Sequence, residues 1–193
     1  MLQNTAIVLK SGTVSFAIPT PRSFMNVSIL IEDELHIKTA IDLLCVEFYF
    51  GEQREEGSVL AHVKRVTDLA LVIWEGNNAN HKLSSSLVVY ALAMFHDVNE
   101  RYVFSNVGLQ QFESAMRYFV SLSYAPDSML LERSDTQSRD AYIKDLLKNG
   151  TPEVLLVKMA DLLDRINTSK NTQKVARAKC EYSDIANVYN SIK

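Results

Sequence analysis

An unbroken apolar run, Leu87-Val88-Val89-Tyr90-Ala91-Leu92-Ala93-Met94-Phe95, leads directly into His96-Asp97. A helix apolar on every side belongs in the interior, and a His and an Asp delivered there need partners. Candidate partners stand elsewhere in the chain: His62 upstream, and Asp161 at the end of Val157-Lys158-Met159-Ala160-Asp161. Two imidazoles and two carboxylates make a nest for one divalent metal ion.

The rest of the chain suits one helical domain over residues 1–193, with 1–31 as an N-terminal β-hairpin extension and 32–193 as the helical core. A net charge of −3 gives no sign of nonspecific binding to nucleic acid or to a membrane surface, and neither partner is expected. No apolar run reaches the roughly 20 residues that cross a bilayer. The N-terminus lacks a charged segment followed by an apolar one, so no signal peptide is expected. Cys45 and Cys180 fall on separate expected helices. A structural disulfide is therefore not expected, and the usage fits a reducing cytoplasm.

The spacing predicts two short strands, Thr5–Lys10 and Thr13–Ile18, turning at Ser11-Gly12 and stopped by Pro19 and Pro21. A third extended piece is expected over Asn26–Ile31. About six or seven helices follow. One opens at Glu32-Asp33-Glu34, carries the stripe Leu35, Ile37, Ile41, Leu44, Cys45 and Phe48, and ends at Gly51. A polar stretch from Glu52 to Ser58 leads to a helix from about Val59 to Trp74, broken by Gly76-Asn77-Asn78. Further helices are expected over Ser84–Asn99, Leu109–Leu122 and Asp140–Lys148. Thr151-Pro152-Glu153 is a start signal with Pro in the first turn, and Thr172–Ile192 closes the chain as a mostly polar helix.

His62 shares a helical face with Val66, Leu69 and Ile73, and Asp161 shares one with Val154 and Val157, so both point inward. A lone His on such a face is usually a satisfied core residue, and a lone Asp a cap or half of a buried pair. Their combination with the adjacent His96-Asp97 raises the metal reading above both. Mixed N/O ligation selects weakly among Mn, Co, Fe, Ni, Zn and Mg. Four protein ligands on a six-coordinate ion leave positions for water and a phosphate oxygen, the arrangement of a hydrolytic site. His36 and His81 read as surface or packing residues, which argues against a second ion. Glu100 lies four residues after His96, on the same helical face, where it can orient or deprotonate a water; the plainer alternative is a solvated charge at a helix end.

The order His62 … His96-Asp97 … Asp161 resembles the signature of the HD superfamily of metal-dependent phosphohydrolases, which are all-helical. Within it the chain is most similar to the small 5′-deoxynucleotidase-like hydrolases of bacteria and phages. Three stretches carry the resemblance: Lys10-Ser11-Gly12 with Phe16, Pro19 and Ile29-Leu30-Ile31-Glu32-Asp33; Ser58-Val59-Leu60-Ala61-His62; and His96-Asp97-Val98-Asn99-Glu100-Arg101-Tyr102. The resemblance implies His62, His96, Asp97 and Asp161 as metal ligands, Asp97 and Glu100 as catalytic residues, and a (deoxy)nucleoside monophosphate or related ester as substrate.

Two positions depart from that pattern. Phe104-Ser105 stands where the family has Gly-Asp, leaving Ser105 as the substrate-contact candidate. Phe48 stands where an Arg is expected to grip phosphate, and Arg54, Lys64 and Lys158 are the candidates to replace it. A second branch, the (p)ppGpp hydrolases, shares the His, His-Asp and Glu order and an element like Val157-Lys158-Met159-Ala160-Asp161. Its Glu is usually followed by Asp where this chain has Arg101, and the spacing from His62 to His96 suits the nucleotidases better. A non-enzymatic alternative keeps the metal nest and serves as a nucleotide sensor or protein-interaction module. The expectation is thus an all-α bundle with an N-terminal β-hairpin, one divalent ion and a small nucleotide substrate. A homodimer through Trp74, Phe112, Tyr118 or the C-terminal helix is left open.

Overall fold

A computed structural model describes residues 13–19, 24–30, 34–54, 57–78, 86–98, 133 and 136–192. Among them the chain is a helical bundle with a small N-terminal hairpin. Strand β1 (Thr13–Pro19) pairs antiparallel with β2 (Phe24–Leu30). The register sets Val14 opposite Ile29, Phe16 opposite Val27 and Ile18 opposite Met25. The alternating apolar positions of the two strands therefore coincide, which fixes the pairing. The extended piece expected over Asn26–Ile31 is thus a strand partner of the Thr13 strand. Residues 20–23, between the two strands, lie outside the described residues. Thr5–Lys10 lies outside the described residues.

Helix α1 (Glu34–Tyr49) buries Ile41, Leu44, Cys45, Phe48 and Tyr49 and ends before Gly51, whose φ of 77° suits glycine. The polar stretch that follows is more ordered than its composition suggests. Gln53–Arg54 (β3) pairs with Gly57–Ser58 (β4) in a minimal hairpin, and Gly57 adopts φ 116°. That hairpin feeds directly into α2 (Val59–Asn78), which runs past the expected stop through Gly76. One glycine in a last turn costs about 1 kcal/mol, which the buried face of Val59, Val63, Val66 and Ala70 outweighs.

Helix α3 (Ser86–Phe95) is buried along nearly its whole length, as its composition requires. Its helical ladder stops at Phe95, and His96-Asp97 form a turn. Helix α4 (Arg139–Asn149) is capped by Ser138, α5 (Pro152–Thr168) by Thr151 with Pro152 in the first turn, and α6 (Thr172–Ser191) by Asn171. One hydrophobic core draws on all six of these helices. Helix α5 lies at its centre, buried without interruption from Glu153 to Leu162, and packs against α2, α3 and α6. The polar-looking α6 contributes Ala178, Ile185 and Tyr189 to the core. Cys45 is buried and Cys180 exposed, and both are free thiols. No helix among the described residues is long and apolar enough to cross a membrane.

Candidate metal centre

Three elements deliver the four candidate ligands. His62 sits in the first turn of α2, beside buried Val63 and Val66, and its imidazole is buried. His96 and Asp97 occupy the turn after α3, and both are buried. On a continuous helix, adjacent side chains diverge by about 100°; the turn lets this adjacent pair serve one site. Asp161 projects from the middle of α5 and is buried.

The side chains converge. His62 Nε2 lies 3.2 Å from His96 Nε2, 3.5 Å from Asp161 Oδ1 and 3.9 Å from Asp97 Oδ2. His96 Nε2 lies 3.5 Å from Asp97 Oδ1. His62, His96 and Asp161 form a buried group able to hold a metal ion.

The hydrogen bonds around the imidazoles decide what that space accepts. His62 Nδ1 donates to Asp164 Oδ2 at 2.7 Å, and His96 Nδ1 donates to the Ala93 carbonyl oxygen at 2.6 Å. In neutral rings those bonds place the proton on Nδ1 and leave the lone pair on Nε2. Two Nε2 lone pairs then face each other, with no proton to share. Asp97 Oδ2 and Asp161 Oδ1, both buried, accept no hydrogen bond among the described residues. Three acceptors around one point, His62 Nε2, His96 Nε2 and Asp161 Oδ1, call for a cation, while Asp97 stands at the edge of that group beside Arg54. Two nitrogens bound 2.0–2.1 Å from one zinc-like ion stand roughly 2.8–3.4 Å apart, and the observed 3.2 Å falls inside that window. The donor set therefore fits a divalent ion.

Surrounding charges keep the carboxylates ionised. Burial pushes the Asp161 carboxyl upward, but the Lys158 ammonium 2.9 Å from Oδ2, and then Arg165, outweigh burial and hold it well below the usual carboxylate range. Burial likewise raises Asp97, and positive charge on His96, when protonated, and on Arg54 brings it below its ordinary value. Arg54 Nη1 stands 3.0 Å from Asp97 Oδ2. In Asp164, hydrogen bonds from His62 and Arg65 overcome burial and lower the carboxyl. Asp161 in turn holds Lys158 above the ordinary lysine range against the opposing effect of burial.

A cavity of about 510 Å³ lies beside the nest; of the four candidate ligands only His62 lines it, together with Asp164, Arg54 and others. Of the expected phosphate-binding cations, Arg54 lines it, carried there by the β3–β4 hairpin. Lys64 is exposed on α2 and does not line the cavity; its neighbour Arg65 does. Lys158 also stays off the cavity wall: it is buried behind Asp161 and beside the Tyr142 ring. Phe48 packs edge-on against Phe95 in the core. Glu100 and Ser105 lie outside the described residues. The sequence reading overlooked Asp164, which orients His62 and also accepts two hydrogen bonds from Arg65. The available signal was its spacing of three from Asp161, which sets both carboxylates on one side of α5. Asp164→Ala is expected to release the His62 ring and weaken metal binding by about 10–100-fold, as read by metal titration, with the fold retained.

No protein-family model matches the chain, and no curated protein sequence matches it.

Proposed function

We propose that the chain is a metal-dependent phosphohydrolase that cleaves a phosphate ester of a nucleotide. The carrying observation is the pair of imidazole Nε2 atoms 3.2 Å apart, both Nδ1 atoms engaged, facing the buried oxygens of Asp161 and Asp97. The cationic cavity that His62 lines supports the same reading, because arginines there suit phosphoryl oxygens. So does the resemblance to the HD superfamily, whose ligand order includes the three residues that meet in space, His62, His96 and Asp161.

His62, His96, Asp97 and Asp161 would hold one divalent ion, drawn from Mn, Co, Fe, Ni, Zn and Mg. Such an ion, when bound, polarises a phosphoryl oxygen and lowers the pKa of a water. The chain's own part is to position and neutralise. Asp164 fixes the His62 ring, and Lys158 balances the charge of Asp161. Arg54, Arg65 and Arg165 stand on the cavity wall, where they can pair with the oxygens of a phosphoryl group. Hydrolysis breaks the bond between phosphorus and the leaving oxygen, forms one from phosphorus to the water oxygen, and passes a proton to the departing alkoxide. Glu100 is the candidate, by resemblance, for moving that proton.

Purified full-length chain supplied with Mn(II) should release phosphate from members of a nucleotide panel, and Asp97→Ala should abolish that release. A protein that binds the ion yet turns over none of the panel would instead be a sensor with a retained nest.

A further inference from the structure

Asp97 has two competing partners. Its Oδ2 stands 3.0 Å from Arg54 Nη1 and 3.9 Å from His62 Nε2. The buried group able to hold an ion comprises His62, His96 and Asp161, and Asp97 sits at its rim. The contact with Arg54 is one of charge alone. That same Oδ2 accepts no hydrogen bond among the described residues, so the guanidinium is close without being aligned. Arg54 also lines the cavity, whereas Asp97 does not. The other arginines beside the nest are placed differently. Arg65 is fastened by two hydrogen bonds to Asp164, which is not a candidate ligand. Arg165 lies 3.6 Å from Asp161, but that carboxylate is anchored by Lys158 at 2.9 Å. Both come from long helices, α2 and α5. Arg54 comes from the two-residue strand β3, which a minimal ladder fixes less firmly than a helix would.

We propose that Arg54 withholds Asp97 from the ion until an anion in the cavity draws the guanidinium away, so that anion binding completes the ligand set. A guanidinium and a divalent ion at one carboxylate oxygen repel each other, so each weakens the other's hold on it. A phosphoryl group offers Arg54 paired, aligned hydrogen bonds that Asp97 Oδ2 does not. Once Arg54 turns to it, the Asp97 carboxylate is left to the ion beside His62 and His96. The coupling is reciprocal: the anion tightens the ion, and the ion tightens the anion. This rests on the phosphohydrolase reading for the identity of the anion, and gives that reading a regulatory step in which substrate finishes the metal centre.

Calorimetric titration of the full chain and its variants with Mn(II), arranged as a double-mutant cycle, tests the proposal. Arg54→Met is expected to raise Mn(II) affinity about tenfold when Asp97 is present, and by less than about twofold in the Asp97→Asn background. Arg54→Gln runs beside it, and circular dichroism checks that each variant keeps its helices. Saturating orthophosphate is expected to raise the Mn(II) affinity of wild type at least about tenfold more than that of Arg54→Met. An equal gain from Arg54→Met with and without the Asp97 carboxylate would reduce Arg54 to a diffuse positive charge and overturn the proposal. So would unchanged or weakened Mn(II) binding in Arg54→Met, or an orthophosphate effect that this variant keeps in full. The expected cycle with no phosphate released from any nucleotide would defeat the hydrolase reading and leave the Arg54 latch standing. Turnover of nucleotides with a flat cycle would do the reverse.

Discussion

Asp161→Asn is expected to weaken metal binding by at least about a hundredfold and to remove phosphate release with it. The substitution keeps the side chain's shape and removes its charge. Oδ1 of Asp161 is one of the buried oxygens that accept no hydrogen bond among the described residues, and it stands 3.5 Å from His62 Nε2. An amide there offers the ion a neutral oxygen, or turns its NH₂ group toward two imidazole lone pairs. Lys158, whose ammonium donates to Oδ2 at 2.9 Å, would be left buried with its charge unanswered. Equilibrium dialysis with Mn(II), followed by a phosphate-release assay on the same preparations, reads both effects. Retention of wild-type metal affinity would show that Asp161 serves Lys158 alone.

Lys158→Met should produce the largest loss of stability of any single change at the site. Lys158 lies on α5 one turn from Asp161, and both are buried. Removing one partner of a buried ion pair typically costs about 3–5 kcal/mol, because the other charge stays desolvated and uncompensated. For a chain of this size that lowers the thermal midpoint by on the order of 10 °C. Methionine fills similar volume, so the effect reports charge rather than a cavity. Added Mn(II) should recover part of the loss, since an ion beside Asp161 supplies the positive charge the lysine gave. A loss that Mn(II) does not touch would place the lysine's role in packing against Tyr142. A phosphate-binding lysine on the cavity wall would give the opposite pattern, with stability intact and substrate affinity lost.

The ligand residues were legible because each sits where periodicity exposes it. His62 shares a face with Val66, Asp161 shares one with Val154 and Val157, and His96-Asp97 end a run too apolar to face water. The helical bundle was legible for the same reason, with Thr151-Pro152 and Gly51 marking true boundaries. What escaped was set by tertiary structure. The pairing of Thr13–Pro19 with Phe24–Leu30 depends on a register between two pieces that local pattern alone does not join. Asp164 looks like any helix-surface carboxylate until α2 brings His62 against it. Arg54 stood among the candidates for gripping phosphate, but nothing local marks Arg139 or Arg177. Their convergence on one cavity depends on how the β3–β4 hairpin, α4 and α6 pack around α5, which no local window contains.

Anomalous diffraction from crystals of the full chain soaked in Mn(II), recorded near the manganese edge, tests the nest itself. The arrangement predicts one strong peak in contact with His62 Nε2, His96 Nε2 and Asp161 Oδ1. Occupied manganese sites elsewhere and no density among those three atoms would contradict it.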